Sequence, residues 1–239
     1  MTLPSNLEAA ATILLAVDTN HWPDKFILFL ILVASLSVHE WAHAFTADKL
    51  NDPLPRSEGR VTLNPISHID PIGTLLIPLL VLFLSPGFAV IGWGKPVRVS
   101  LPNEKSKVRD DLLITAAGPF SNLLIALSTA CLSGIAFGLG LENEKLLDLA
   151  STVIWINCML FIFNLIPIPP LDGSHFLKHI LRMSEQTFAK LSSYGFIMLI
   201  VLVNLPFFGK AFGTAISFSS SKFGELALIL KEMLAKVSS

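Results

Sequence analysis

Residues 26–47, FILFLILVASLSVHEWAHAFTA, decide how this chain folds. The run is long enough to cross about 30 Å of hydrocarbon, a span that takes about 20 helical residues. Its second half nevertheless carries His39, Glu40 and His43. A charge near the bilayer centre costs about 2.5–3.5 kcal/mol on insertion scales, so ionisable groups placed there mark function. Four residues apart on a helix, His39 and His43 share a face and can grip one ion at about 2.0–2.1 Å. Glu40 stands one residue on, within reach of a water on that ion. The plainer reading is a polar cluster bonding between helices. It is the weaker one, because HExxH arises by chance in such a chain only about once in a hundred.

A catalytic zinc usually takes three protein ligands and keeps one position for water. Asp48 lies five residues past His43 and points off the face, so the third ligand comes from elsewhere. His68, Asp70, Asp172, His175 and His179 are the candidates. The segment Asn164-Leu-Ile-Pro-Ile-Pro-Pro-Leu-Asp172-Gly173 favours Asp172. Its prolines stop a spanning helix and its glycine permits close backbone approach. Such irregular backbone survives at membrane depth only where it is buried or lines a cavity. His175 and His179 repeat the four-residue spacing, but Phe176 occupies the place of a general base, so they read as a wet helix face. His68 and Asp70 are either a turn-stabilising pair or residues facing the site, and His21 beside Trp22 is interfacial.

The rest of the composition agrees with a bilayer. Hydrophobic residues make up 52% of the 239 and charged ones only 15%, against roughly 25% charged in soluble domains. A net charge of −1 offers no basic field, so nucleic acid is excluded as a partner. The expected organisation is one integral membrane domain over residues 1–239, with a core at 26–190. Residues 1–25 and 209–239 are expected to be interfacial. The first lacks a positive n-region, and Phe223 to Val237 mixes Leu and Ile with Lys222, Glu225, Lys231, Glu232 and Lys236, an amphipathic pattern. Cys131 and Cys158 sit within apolar runs and read as packing residues.

Further spans are expected at about residues 111–141, 150–166 and 191–208, which with the first makes about four. Residues 73–92 are apolar but broken by Pro78, Pro86 and Gly87. Two short β-branched stretches, 60–64 and 95–100, read as strands. The fold class is therefore mainly α and polytopic, with a re-entrant hairpin, short β-strands and interfacial helices at the termini.

Charge bias orients the whole. Lys49, Arg56 and Arg60 lie in residues 47–72, five Lys or Arg from Lys95 to Arg109 in 93–111, and Lys178, Arg182 and Lys190 in 168–190. Residues 139–149 carry Lys145 against Glu142, Glu144 and Asp148. The three basic segments belong on the cytosolic side. Residues 73–92 then cross zero times or twice, as a hairpin does, and Asp172 arrives at the level of His39 and His43.

These motifs resemble a known family. HEWAH in an apolar helix, Ala117-Gly118-Pro119-Phe120-Ser121-Asn122 and the Asn164 to Gly173 segment are similar to the site-2 proteases, the M50 intramembrane metallopeptidases. Leu63-Asn64-Pro65-Ile66-Ser67-His68-Ile69-Asp70-Pro71 and Gly92-Trp-Gly-Lys-Pro-Val97 look like its compact bacterial or archaeal branch without a PDZ domain. The resemblance covers about Val38 to Gly173, and Ser174 stands where many members have a second Gly. It implies one Zn2+ per chain on His39, His43 and Asp172, with Glu40 as catalytic base. Asn122 and Asn164 would line the site and help with the oxyanion; His68 and Asp70 stay candidate substrate-binding residues on the reading of the residues alone.

The activity so implied is zinc-dependent hydrolysis of single-pass membrane proteins in regulated intramembrane proteolysis. It would take place in a plasma membrane, with the site open to the cytosol. A substrate helix must unwind first, and a strand edge near 60–64 or 95–99 could hold it extended. The rivals are a zinc or proton transporter, for which paired broken halves are expected, and a catalytically dead scaffold. The intact HExxH and Asp172 speak against the scaffold.

Overall fold

The computed structural model describes residues 22–84, 93–141 and 143–237, and the fold is almost entirely helical. The HEWAH helix, α1, runs Trp22–Lys49. A short α2 (Leu54–Ser57) and a 3-10 turn (Pro65–Ser67) lead to a π-helical turn (Pro71–Leu76) and α3 (Ile77–Leu84). The long α4 (Lys107–Gly138) is followed by α5 (Glu144–Asn164), α6 (Gly173–Ile180), α7 (Glu185–Ser193), α8 (Gly195–Val203) and α9 (Pro206–Val237).

Three of these, α1, α4 and α5, are long and apolar enough to cross a membrane. The expected span at 191–208 falls on a bent pair, α7 and α8, which meet at 52° and together are apolar enough for one broken span or a re-entrant loop. The run of 73–92 leaves and returns at one place: Trp93 N–H donates to the Gly73 carbonyl at 3.1 Å, and the Thr74 hydroxyl donates to the Trp93 carbonyl at 2.7 Å. Residues 85–92 lie outside the described residues, as does most of the N-terminal segment expected to be interfacial.

Apolar side chains knit the bundle. Ala126 and Ala130 of α4 pack with Ile154 and Cys158 of α5 and with Ile216 and Ala227 of α9. Small residues let these backbones approach, since lipid tails give apolar helices little other reason to associate. On the other side of α5, Ile156 and Leu160 meet Leu32 and Leu36 of α1. Residues 223–237 are thus the second half of a helix packed along α4 and α5, and not the surface helix expected. Their apolar stripe faces other helices, which an amphipathic pattern does not distinguish from a stripe facing lipid headgroups.

The expected strands are also corrected, for no strand occurs among the described residues. Residues 60–64 are wound by local bonds, Arg60 N–H to the Pro55 carbonyl (2.8 Å) and Thr62 N–H to the Arg60 carbonyl (2.9 Å). Segment 93–101 lacks helix but pairs with loops and side chains instead of a ladder. Asp52 accepts from the Ser100 N–H and hydroxyl, both 2.6 Å, from Leu101 N–H (2.9 Å) and from Leu54 N–H (3.1 Å). Together with Lys107–Glu185 (3.8 Å) and Glu58–Arg98 pairs, these contacts bring the three basic segments to one end of the bundle.

Burial alone would raise the Asp52 carboxyl, but its donors, Ser100 foremost, hold it below the usual carboxylate range. A depressed acid stabilises the fold above its unfolded value of about 3.9 and loses that contribution as pH falls through the folded value. Asp52→Ala is expected to cost about 1–3 kcal/mol by orphaning these donors. Thermal midpoints in detergent check this, and Asp52→Asn should flatten the decline in stability below about pH 4.

Candidate metal centre

His39 and His43 point from α1 toward α4, where α4 fixes both rings. Asn122 Oδ1 sits 2.7 Å from His39 Nδ1, and the Ile114 carbonyl 2.7 Å from His43 Nδ1. Both acceptors are oxygens, so each Nδ1 carries a proton and each Nε2 carries a lone pair. The two Nε2 atoms lie only 3.0 Å apart. Asp172 completes a triangle, Oδ2 3.2 Å from His39 Nε2 and Oδ1 3.4 Å from His43 Nε2.

The Asp172 carboxyl is buried, which alone would raise it, yet the facing His43 and His39 imidazoles hold it well below the usual carboxylate range. Its Oδ2 has no hydrogen-bond donor. A carboxylate and two imidazole nitrogens converging in a buried space suit a cation. A tetrahedral zinc with about 2.0–2.1 Å bonds to nitrogen sets neighbouring ligand atoms about 3.3 Å apart, close to these separations. The residues therefore fit a zinc ion, and the three form the group among the described residues that could hold a metal.

Surrounding contacts make the triangle rigid. Asn122 Nδ2 donates to Asn157 Oδ1 (3.0 Å), and Asn157 Nδ2 donates to Ser35 Oγ (3.0 Å). This buried network joins α1, α4 and α5 at the level of His39. Glu40 is buried, with Arg60 Nη2 4.0 Å from its Oε2 and Gly94 against its side chain. Arg60 is itself buried and donates to the Ser67 and Lys95 carbonyls, tying the loops together beside Glu40.

Gly118 presses on both rings: a Cβ there would stand 2.3 Å from His43 Nε2 and 2.7 Å from His39 Cε1. Because Asn122 and Ile114 grip the rings, they cannot give way. Gly118→Ala is expected to weaken zinc binding by about 10–100-fold, the range for losing support around a ligand, as read by titration against a chelator of known affinity.

The other residues singled out above have structural partners. Asn164 donates to the Leu160 carbonyl of its own helix (2.9 Å), and both donors of Asn122 are occupied by Asn157 and the Ser35 carbonyl. Asp70 caps the π-helical turn, accepting from Ile72 and Gly73 N–H. His68 is buried with Nε2 2.7 Å from the Thr62 carbonyl; burial foremost, and Arg60, hold its imidazole below the usual range. His175 and His179 both bond Asp111, His175 while remaining half-buried at the helix surface. Sequence reasoning missed Ser35, Arg60, Asp111 and Asn157. The signal for Ser35 and Asn157 was there, a polar side chain inside an apolar span.

A sequence profile described as Peptidase family M50 matches residues 134–205, which include Asp172. YwhC of Bacillus subtilis (strain 168), carried under a provisional zinc-metalloprotease name, is 36% identical over 185 residues, covering 75% of this chain and 80% of that protein. The chain belongs to peptidase family M50. Rip2 proteins, with the same provisional name, agree with this M50 peptidase more distantly. The one from Mycolicibacterium smegmatis is 29% identical over 77% of this chain and 71% of its own. That from Mycobacterium tuberculosis (strain H37Rv) is 27% identical over 77% and 73%. No solved structure matches the chain. Membership makes this M50 chain a zinc metallopeptidase, and its apolar helices make it a membrane protein.

Proposed function

We propose that His39, His43 and Asp172 hold one zinc ion, that Glu40 is the general base, and that the substrates are single-pass membrane proteins cut within or near the bilayer. The observation that carries this is the triangle of Nε2, Nε2 and carboxylate, its two histidines on an apolar helix long enough to span and both Nδ1 atoms already committed. His39 and His43 stand ten and six residues before Lys49, the end of α1, or about 15 and 9 Å at 1.5 Å per residue. Water and the outer turns of a substrate helix can reach that depth from the basic end, which the charge bias assigns to the cytosol of a plasma membrane.

A zinc ion held by these three residues supplies Lewis acidity, acidifying a water and polarising the scissile carbonyl. Glu40 accepts the proton of the attacking water at its carboxylate and delivers it to the leaving amine nitrogen. Arg60 Nη2 stands 4.0 Å from Glu40 Oε2, an opposite charge beside the base. Asn122 and the Ile114 carbonyl keep each imidazole turned so that Nε2 faces inward. Release of a regulator from its membrane anchor is the role that such cleavage serves.

The test is metal removal in the purified, detergent-solubilised protein. One zinc per chain is expected, with cleavage of a single-pass substrate abolished by a chelator and restored by zinc. Full-rate cleavage by zinc-free protein would overturn the reading.

A further inference from the structure

One buried polar cluster lies outside the metal triangle, at the start of α4. Asp111 is buried to 2% exposure. Its Oδ2 is 2.6 Å from His179 Nε2, its Oδ1 3.1 Å from His175 Nδ1, and Lys178 Nζ is 3.9 Å from Oδ2. All three partners sit on α6. A buried carboxylate is strongly unfavourable without such partners and holds them firmly when it has them. The ammonium of Lys178 beside the same oxygen argues against a second cation there.

The position of α6 matters because Asp172 is its N-cap residue. The Asp172 carbonyl accepts the His175 N–H at 2.9 Å, so the ligand and the clasped histidine share one turn. At Gly173 a Cβ would stand 2.3 Å from the Leu165 carbonyl, leaving that turn no slack on its other side. On α4, Asp111 stands three, seven and eleven residues before Ile114, Gly118 and Asn122, one helical face. That single face therefore bears on all three ligands, two directly and one through α6: Asn122 holds His39, Ile114 holds His43, Gly118 seats both rings, and Asp111 clasps the helix that Asp172 caps.

We propose that Asp111 is a positioning residue for the third metal ligand: its clasp on His175 and His179 fixes the distance from Asp172 to the two α1 histidines. This rests on His39, His43 and Asp172 being the ligands.

The test compares wild type, Asp111→Ala, Asp111→Asn and Asp172→Ala in detergent. Zinc affinity is read by chelator competition, site geometry by the visible spectrum of the cobalt-substituted protein, and folding by circular dichroism and thermal midpoint. Asp111→Ala is expected to lose about 10–100-fold in zinc affinity, the range for a group that orients a metal ligand, and to alter the cobalt bands. Asp111→Asn, which keeps one acceptor oxygen, should recover most of both. Wild-type affinity and spectrum in folded Asp111→Ala would overturn the proposal. So would a loss that only tracks the unfolded fraction. If Asp111→Ala does not fold, His179→Ala answers the question, with a several-fold loss expected and an unchanged affinity overturning the proposal. Asp172→Ala separates the two levels: undiminished zinc there would remove the ligand assignment itself.

Discussion

Glu40→Gln is expected to keep its zinc and to lose about 10²–10⁴-fold in cleavage rate, the usual worth of a general base. Glutamine matches glutamate in shape, so the fit against Gly94 survives and the two histidines are untouched. It cannot accept a proton, however, and Arg60 at 4.0 Å then faces a neutral amide. The pairing of retained metal with lost turnover separates this residue from the ligands. Zinc content and single-turnover cleavage of a membrane-anchored substrate measure both halves. A variant that cleaves at the wild-type rate would mean the proton goes elsewhere.

Asp172→Ala should show the opposite pattern, with metal and activity falling together. Four-ligand zinc sites bind with about 10–16 kcal/mol, so one protein ligand contributes roughly 3 kcal/mol, a hundredfold or more in affinity. The loss should not unfold the bundle. Asp172 lies in the loop between α5 and α6, and the apolar contacts joining α4, α5 and α9 do not involve it. Equilibrium dialysis against zinc, beside a thermal midpoint, tests both parts, and undiminished zinc would refute the role given to this carboxylate.

How far the sequence could be read follows from where each contact lies. His39, Glu40 and His43 fall within one turn, so local helix geometry was enough to see them. Asp172 was legible because prolines and a glycine mark a broken helix end, and charge bias placed that end at the right depth. The contribution of α4 was not legible. Ile114 acts through its backbone carbonyl, which any residue has, and Gly118 acts by lacking a side chain. Asp111 meets partners 64 and 68 residues away, a pairing that no spacing rule contains. Segments 60–64 and 95–99 carried β-branched residues, but Asp52, Arg60 and His68 took up neighbouring backbone groups that a ladder would have used.

The course of α9 has a practical corollary. Phe212 meets Phe163 near the inner end of α5 with ring centres 5.8 Å apart, whereas Leu234 packs against the far end of α4 at Gly138. Between Gly118 at the metal triangle and Gly138 lie about 30 Å of helix, a whole hydrocarbon thickness. In the orientation proposed above, with the basic end at the cytosol, the far end of α9 lies on the other side of the bilayer from the mouth of the site. A reporter fused after Val237 will be shielded from a reagent that reaches the zinc, and exposed to one that does not.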